Sequence, residues 1–386
     1  MAEGRSPAYG AALRGDWALD AGFLTVNHGS YGATPRVVLA AQDAWRARME
    51  AQPSRFMAEV LPGALRDAAA RLAAFLGAEA EGLAFVANAT EGCNAVLRSL
   101  PLRAGEEVVL LGHAYGAVRK AAGFVAAAAG ARAVEAPVPY PRPSSEAVLA
   151  ALDAAIGPRT RLAVLDHVTS ASALVLPLAA MVALCRARGV PVLVDGAHGP
   201  GQVPLDLRAL GADWYAGNGH KWLMAPKGCG FLWAAPGRRD GLHPLAISHG
   251  LGEGFLAEFD WTGTRDPTAF LAAGAAVAFH AALGGPALMA RNAALAREAG
   301  AALAARLGTE CGVPPAMQGA MATVRLPGPA TADRAAALRR RLLALGTDAQ
   351  VVALAGALWL RVSAQAYNEA ADYERLGGMV ATALAG

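Results

Sequence analysis

The strongest constraint on the fold of this 386-residue chain is an alternation of short apolar runs and helical segments between Leu83 and Ala216. Runs with the length and composition of buried strands occur at residues 83–86, 108–111, 131–136, 162–165, 190–194 and 212–216. This order predicts an α/β fold, with a mostly parallel sheet and helices on both of its faces. Such sheets bind ligands beyond the carboxyl ends of their strands, so polar residues at those ends are the first candidates for a functional site.

The pattern changes after Pro286 and predicts a smaller α+β unit. A long helix is followed by a strand at 322–326, a helix at 332–344, a strand at 358–362 and a final helix at 369–384. We therefore expect three parts: an N-terminal arm at residues 1–26, a large domain at 27–284 and a small C-terminal domain at 285–386.

Charge and cysteine content exclude several classes of partner. The chain has 34 basic and 31 acidic residues, a net charge of +3, and its one basic cluster, 339–341, lies in a helical pattern typical of a solvated face. We expect no nucleic-acid partner. The four cysteines form no Cys-x-x-Cys pair, and the eight histidines show no metal-ligand spacing. They predict reduced thiols and no metal site.

The hydropathy pattern indicates a protein without a membrane partner. Hydrophobic residues make up 55% of the chain, but no run approaches the 18 uninterrupted apolar residues of a membrane helix. Residues 1–20 contain five charged side chains and no continuous apolar segment, so no secretory signal is evident. Together with the reduced cysteines, this predicts a cytoplasmic location.

Asp195 and Lys221 carry the first indication of chemistry. Asp195 ends the buried run 190–194, and Lys221 follows 26 residues later in the segment Gly-Asn-Gly-His-Lys-Trp. A lysine that forms a Schiff base must be neutral part of the time, which partial desolvation favours. A carboxylate beside a pyridine nitrogen keeps that nitrogen protonated, as an electron-sink cofactor requires. Either residue alone is more typical of a turn carboxylate or a solvated surface lysine.

Two further segments suit anionic ligands. Residues 83–94 read as a strand, a turn of small residues and a helix start, a combination that exposes backbone N–H groups to a phosphate; Thr90 adds a hydroxyl. The alternative is an ordinary helix cap at Asn88 or Thr90. Arg361 lies inside the strand pattern 358–362, where an inward guanidinium needs an anion, either a substrate carboxylate or an internal salt-bridge partner.

Several of these motifs resemble one enzyme group. They are Val194–His198, Gly217–Leu223, Ala225–Gly228, Leu24–Gly32 and Leu360–Gln365, and they extend over nearly the whole chain. The sequence resembles the class V aminotransferase group of fold-type I pyridoxal-phosphate enzymes, and within it the isopenicillin N epimerase-like branch. The resemblance implies a fold-type I architecture, a large domain that binds pyridoxal 5′-phosphate, and a homodimer acting on a small amino-acid substrate.

The same resemblance implies roles for individual residues. Lys221 holds the cofactor and acts as acid and base, Asp195 protonates the ring nitrogen, and His198 addresses O3′ or the ring. Tyr115 stacks on the ring, while Thr90, His220 and the neighbouring subunit's Thr264 bind phosphate. The remaining cofactor-binding candidates are Glu91, Asp166 and Thr169, with Ser170 beside them. The substrate-binding candidates are Asn27, His28 and Arg361.

The reaction stays open between alternatives. Catalysis through an external aldimine, as in an isopenicillin N epimerase-type amino-acid epimerase, is the first expectation, although no second base stands out. A C–S lyase resembling hercynylcysteine sulfoxide lyase needs one base and a leaving group at Cβ, and an aminotransferase is a further alternative. A desulfurase would need a nucleophilic cysteine on a mobile loop shortly before the strand of Arg361. Cys311 lies 50 residues before Arg361, with a strand and a helix between them, so desulfurase activity is disfavoured. From a different class, a catalytically silent scaffold of the same fold is disfavoured by the presence of both Asp195 and Lys221.

Overall fold

The predicted alternation of strands and helices forms a seven-stranded sheet in the computed structural model, which describes residues 9–385. The strands are β1 (Leu83–Val86), β2 (Glu107–Leu111), β3 (Arg132–Ala136), β4 (Thr160–Asp166), β5 (Val192–Gly196), β6 (Trp214–Asn218) and β7 (Gly230–Ala234). Their spatial order is β1-β7-β6-β5-β4-β2-β3, and only β7 runs antiparallel to its neighbours. The predicted α/β class with a mostly parallel sheet is confirmed.

Helices cover both faces of this sheet, and the last three helices of the chain pack on the C-terminal part instead. In chain order they are α1 (His28–Tyr31), α2 (Arg36–Ala51), α3 (Pro53–Arg55), α4 (Leu61–Leu76), α5 (Ala89–Ser99), α6 (Gly116–Ala128), α7 (Ser145–Ala155), α8 (Leu178–Ala187), α9 (Leu207–Leu210), α10 (Phe255–Asp260), α11 (Thr268–Leu271), α12 (Ala273–Ala282), α13 (Pro286–Leu307), α14 (Ala332–Ala344) and α15 (Ala370–Ala385). One hydrophobic core lies on each face of the large sheet, and α5 packs in one of them.

A second, three-stranded antiparallel sheet forms the core of the C-terminal part. Its strands are β8 (Met321–Leu326), β9 (Gln350–Leu354) and β10 (Ala357–Ser363), in the order β8-β10-β9. Helices α13, α14 and α15 contribute apolar side chains to its core, and so do Leu24 and Val26 of the predicted N-terminal arm. The smaller α+β unit is therefore present, while the predicted boundaries at residues 26 and 284 stay predictions.

Three elements differ from the expectation. The apolar segment 270–283, whose pattern predicts one long helix before the C-terminal unit, is divided at Ala272 into α11 and α12. Helix α7 was not predicted, although Ser144 caps it by accepting a hydrogen bond from the Ala147 N–H. Strand β9 was also not predicted, because its side chains are only partly buried at the edge of the small sheet and lack a regular alternation.

The sheet register brings the candidate residues together. Asp166 at the end of β4 pairs in register with Asp195 of β5, and Gly196 pairs with Gly217 of β6. Gly196 has no room for a side chain, because a Cβ there would lie 1.9 Å from Cε1 of Tyr215. The carboxyl ends of three parallel strands thus meet at one edge of the sheet, as expected for a ligand site.

No single helix within residues 9–385 is both long enough and apolar enough to cross a membrane. The stretch Thr268–Ala282 together with Pro286–Leu307 meets the length and composition criteria only as a pair, and the pair is bent by 71°.

Candidate active site

A cavity of about 400 Å³ opens at the carboxyl edge of β4, β5 and β6. Seven of the predicted site residues line it: Thr90, Tyr115, Asp166, Asp195, His198, His220 and Lys221. A larger cavity of about 470 Å³ lies at the opposite, amino ends of β5 and β6 and contains none of the predicted residues. The chemistry therefore belongs to the smaller cavity, because only there do a lysine and buried carboxylates converge.

The amine of Lys221 is held against a histidine in a defined protonation state. Its Nζ lies 3.2 Å from His198 Nε2, and the Trp222 indole N–H donates to His198 Nδ1 over 3.2 Å. Because an indole nitrogen only donates, Nδ1 is the acceptor and the proton of the neutral ring sits on Nε2. An Nε2–H that faces an amine requires a lone pair on that amine. The geometry therefore favours a neutral Lys221.

Electrostatics make the neutral state of Lys221 accessible. Burial and, to a smaller extent, the Arg361 guanidinium lower the pKa of Lys221 to about 8, although Asp195 partly opposes both effects. Burial also holds the pKa of His198 well below its ordinary value, with additional contributions from Lys221 and Arg361. A lysine with this pKa has a substantial neutral fraction near neutral pH, as a Schiff-base lysine needs.

Asp166 and Asp195 form a buried pair of carboxylates. They are 3% and 5% exposed and lie side by side on β4 and β5. Burial raises the pKa of both carboxyls, and the charge of Asp195 raises that of Asp166 further. The Ala197 N–H donates to Asp195 Oδ1 over 3.1 Å and favours its ionised form. The pair makes this end of the cavity a favourable place for a positively charged ring nitrogen.

Helix α5 begins at the cavity, and its first turn is built by asparagines. The Asn88 side chain caps the helix by accepting from the Glu91 N–H over 3.0 Å, and Asn218 on β6 accepts from the Ala89 N–H over 2.8 Å. Glu91, a predicted cofactor-binding residue, instead accepts from the Ala87 N–H over 2.6 Å and does not line the cavity. Thr90 lines the cavity at the positive end of this helix, where a phosphate would be stabilised.

His220 also lines the cavity and is held by a backbone carbonyl. Its Nδ1 lies 3.1 Å from the Cys229 oxygen, so Nδ1 carries the proton and Nε2 is left as an acceptor in the neutral ring. Burial and then Lys221 lower the pKa of His220 to about 4. A phosphate bound here would favour protonation of Nε2, because a nearby negative charge raises the pKa of an imidazole.

Arg361 is a buried cation without a carboxylate partner among residues 9–385. Its side chain on β10 is 3% exposed, and its guanidinium donates to the Ser170 carbonyl over 2.5 Å, to Asn27 Oδ1 over 2.9 Å and to Ser30 Oγ over 2.8 Å. The Nε–H has no partner in the described structure. Burial lowers the pKa of Arg361 to about 10. The internal salt bridge considered for this residue is absent from the described part of the chain.

Arg361 does not itself line the cavity, but its partners Ser30 and Ser170 do. Asn27 is a ligand of the guanidinium and lies behind the cavity wall. His28, the other predicted substrate-binding residue, does not line the cavity either. Its ring nitrogens lie 2.9 Å from Tyr367 Oη and 3.0 Å from the Lys221 carbonyl oxygen. The structure therefore places His28 beneath the lysine.

The remaining predicted residues lie at the rim, in the wall and outside the cavity. Tyr115 is 47% exposed at the rim. Thr169 is fully buried in a turn, where its hydroxyl accepts from the Leu174 N–H over 2.8 Å and contacts Ser172. Thr264 is exposed in the loop between α10 and α11, away from this cavity. Its predicted role toward a partner's phosphate stays a prediction, as do the cofactor-binding roles of Tyr115 and Thr169.

Sequence reasoning missed several cavity residues. Tyr31, Asn88 and Asn218 line the cavity, as does Ser30, and none was assigned a binding role. Asn218 carried a usable signal, since it ends a buried strand and stands between two glycines. Within residues 9–385, no group of three or more His, Cys, Asp or Glu side chains is arranged to hold a metal ion.

The cavity fits a pyridoxal-type cofactor on its own geometry. It brings an amine with a lowered pKa, a buried carboxylate pair and the first turn of a helix to one space of about 400 Å³. Each group suits a different part of such a cofactor: the aldehyde, the ring nitrogen and the phosphate.

Comparison with known proteins then decides the family. The model of the aminotransferase class-V family matches residues 32–376. This chain belongs to that family. Membership confirms the predicted family, the prediction of an enzyme and pyridoxal 5′-phosphate as its cofactor.

Relatives of known description divide between two activities. The chain is 38% identical to isopenicillin N epimerase of Amycolatopsis lactamdurans, over 95% of this chain and 96% of that protein. It is 36% identical to isopenicillin N epimerase of Streptomyces clavuligerus, over 94% and 95%. It is also 35% identical to putative L-cysteine desulfhydrase 1 of Oryza sativa subsp. japonica, over 92% of this chain and 82% of that protein.

Solved structures confirm the fold. A cysteine desulfurase from Thermococcus onnurineus NA1 matches with a TM-score of 0.83 at 18% identity, covering 99% of this chain and all of that one. The cystine C–S lyase C-DES matches with a TM-score of 0.81 at 24% identity, covering 94% and 98%. The predicted fold-type I architecture, with a mostly parallel sheet in the large part and a smaller C-terminal α+β part, is thus confirmed.

Proposed function

We propose that this enzyme acts at Cα of an α-amino acid, with Lys221 holding pyridoxal phosphate and moving the Cα proton. The observation that carries the proposal is the Lys221 amine, whose pKa of about 8 and contact with His198 Nε2 keep a lone pair available in the cavity. A base must stand beside the proton it moves, and Lys221 is the one amine that lines this cavity in the described part of the chain.

Bound pyridoxal phosphate supplies an electron sink that weakens the bonds to Cα. The other residues bind and orient. Asp195 would hold a proton on the ring nitrogen, and Thr90 with the first turn of α5 would bind the phosphate. Arg361 would take the substrate carboxylate, because among the described residues its buried guanidinium donates to neutral acceptors and to no carboxylate, and its Nε–H is unpartnered. Gaining a carboxylate there stabilises a desolvated charge.

Epimerisation of an amino acid of the isopenicillin N type is the first candidate reaction. It is supported by relatives at 36% and 38% identity that cover nearly the whole chain. Epimerisation needs a second acid on the face opposite Lys221. Tyr31 and Tyr115 both line the cavity and are strongly exposed, so their hydroxyls are our candidates for that role.

Elimination from a cysteine-like substrate is the second candidate. It is supported by the desulfhydrase relative at 35% identity and by a cavity with a single lysine base, which is all that loss of a thiol from Cβ requires. In that reaction L-cysteine and water would give pyruvate, ammonia and hydrogen sulfide. An aminotransferase reaction has no feature of the site in its favour.

One experiment separates these outcomes. The purified holoenzyme is incubated with a panel of amino acids in deuterated water, and Cα deuteration, chirality and pyruvate are measured. Deuterium at Cα with inversion identifies an epimerase, and pyruvate with sulfide identifies a lyase. Borohydride reduction followed by peptide mapping should place the cofactor on Lys221. Cofactor on another lysine, or no Cα exchange with any amino acid, would refute the proposal.

A further inference from the structure

The one-turn helix α1 and the preceding Asn27 contact both the loop that carries Lys221 (the lysine loop) and strand β10, which carries Arg361. The His28 ring is buried, with Nε2 3.0 Å from the Lys221 carbonyl oxygen and Nδ1 2.9 Å from Tyr367 Oη. The first contact spans a sequence separation of 193 residues, and the second spans 339. His28 therefore ties the backbone of Lys221 to the C-terminal part of the protein.

The partners of His28 decide where its proton lies. A carbonyl oxygen only accepts, so Nε2 carries the proton and donates to Lys221, while Nδ1 accepts from the Tyr367 hydroxyl. The Gln365 amide nitrogen lies 3.2 Å from the same Nε2, but two donors do not bond, and the shorter carbonyl contact decides the tautomer. Burial lowers the pKa of His28 to about 4, so the ring stays neutral at physiological pH.

The same turn also holds the guanidinium of Arg361. Asn27 Oδ1 and Ser30 Oγ accept from Arg361 Nη2, and the Ser30 hydroxyl donates to Asn27 Oδ1 over 2.9 Å. The Gly29 N–H donates to Ser363 Oγ over 3.1 Å, two residues beyond Arg361 on β10. One face of the turn therefore holds the lysine backbone, and the other holds the predicted carboxylate-binding cation.

The segment Asn27–Gly32 packs closely against the backbone of the loop that carries Lys221. Gly32 has a φ of 70°, and a Cβ there would lie 2.0 Å from the His220 carbonyl oxygen. Only glycine fits this contact without moving the backbone. A displacement of the turn would therefore displace the backbone beside Lys221.

We propose that His28 is a positioning residue for Lys221, and that the segment Asn27–Tyr31 sets the placement of the lysine amine relative to the carboxylate site at Arg361. The inference rests on the proposed roles of Lys221 and Arg361. It replaces the expected contact of His28 with substrate by an action through the lysine backbone.

Two isosteric variants test the contact that matters. The amide nitrogen of glutamine occupies about the place of histidine Nε2, and that of asparagine about the place of Nδ1. His28→Gln can still donate to the Lys221 carbonyl, whereas His28→Asn can reach only toward Tyr367. For His28→Asn we expect kcat to fall about tenfold, the effect of one lost hydrogen bond at a positioned group, with KM nearly unchanged. His28→Gln should restore kcat to within about threefold of the parent.

A second readout is the pH midpoint of the visible absorbance of the bound cofactor. It should shift by about 0.5 pH unit in His28→Asn and stay near the parent value in His28→Gln, because a displaced lysine nitrogen changes its desolvation. Cofactor content and Tm are measured for both variants. Equal kcat and equal midpoints in the two variants, or changes in Tm alone, would show a merely structural role and overturn the inference.

The proposed function is tested separately by borohydride mapping on the same samples. Cofactor on Lys221 together with an indifferent His28→Asn variant rejects the positioning role alone. Cofactor on another lysine rejects the proposed function and, with it, the basis of this inference.

Discussion

At the scale of single residues, the site depends on three side chains whose pKa values are lowered by burial. Lys221 has a pKa of about 8, His198 stays neutral because it accepts from Trp222, and Arg361 remains charged although its partners are neutral. A buried cation without an anion is costly unless its hydrogen bonds are made. Arg361 keeps one unpartnered Nε–H in the described structure, and we propose that a substrate carboxylate completes its set of partners.

The first prediction concerns the geometry of that guanidinium. Arg361→Lys keeps the charge but removes the fork that can bind a carboxylate through two hydrogen bonds, so kcat/KM should fall roughly ten- to a hundredfold, or about 1.5–3 kcal/mol. Cofactor content should not change. The measurement is steady-state kinetics together with amino-acid titration of the cofactor absorbance.

Arg66→Lys is the matched control. Arg66 is also partly buried and binds a backbone carbonyl and Asp260, but it lies outside the cavity. It should lower Tm without weakening amino-acid binding. If Arg361→Lys behaves in the same way, Arg361 is a structural residue and the case for a substrate carboxylate fails.

At the scale of elements, helix α5 joins stability to ligand binding. Its cap residue, Asn88, lines the cavity, and its second anchor, Asn218, reaches it from β6. With these two contacts made, Thr90 and the positive end of the helix dipole lie at the cavity, where we predict that the phosphate binds. Cap geometry at this helix therefore serves both the fold and the cofactor.

The second prediction uses this double role. Asn88→Ala removes the cap and should cost about 1 kcal/mol of stability, since the Glu91 N–H loses its acceptor. Because the same turn faces the cavity, the Kd for pyridoxal phosphate should rise as well. Ser144→Ala removes the equivalent cap of α7, which lies away from the cavity. It should cost similar stability and leave the cofactor Kd unchanged; the same Kd for both variants would remove α5 from the cofactor site.

At the scale of the whole molecule, buried histidines make stability depend on pH. Burial lowers the pKa of His28, His167 and His220 to about 4, whereas an unfolded histidine titrates near 6.5. Between these values the unfolded chain binds more protons, so acidification from pH 6.5 toward 4 favours unfolding. Asp166 and Asp195 act in the opposite direction, because their raised pKa values make the folded state take up protons first.

The third prediction isolates one histidine from these opposing groups. His167→Phe keeps the packing against Tyr215 but removes a titrating ring. Between pH 7 and pH 5 the cofactor-free variant should lose roughly 1–2 kcal/mol less unfolding free energy than the parent. Urea denaturation at both pH values measures it, with the exposed His249→Phe as control. An identical pH dependence in parent and His167→Phe would contradict the assignment.

The fourth prediction concerns assembly. Thr264 is exposed outside the cavity, and Tyr31 and Tyr115 leave large side chains exposed at its rim. We propose a homodimer in which Thr264 reaches the partner's phosphate. Native mass measurement should give a dimer, and Thr264→Val should weaken cofactor retention on dilution, whereas the exposed Thr382→Val should not. A fully active monomer would refute this arrangement.

The local patterns of the sequence were sufficient for most strands and for the three central site residues. Strands buried on both faces are continuous apolar runs, so the parallel strands β2 and β5 and the antiparallel strand β7 are visible without any tertiary information. Asp195 lies at the end of β5, and Lys221 and Thr90 come shortly after β6 and β1, which is why their position at one sheet edge could be predicted. The edge strand β9 was missed although residues 351–354 form a short apolar run, and its side chains are mostly only partly buried.

Contacts between distant parts of the chain were decided only by the tertiary structure. Asn27 meets Arg361 across 334 residues, His28 meets Lys221 across 193, and Asn218 meets the start of α5 across 129. The sequence by itself determined the α/β alternation, the family resemblance and the lysine, because periodicity and short motifs are local. The tertiary structure places the His28 ring against the Lys221 carbonyl oxygen and the Glu91 carboxylate against the Ala87 N–H, while the predicted binding roles of both residues stay predictions. Such hydrogen-bond partners are set by which surfaces meet, and no local pattern records them.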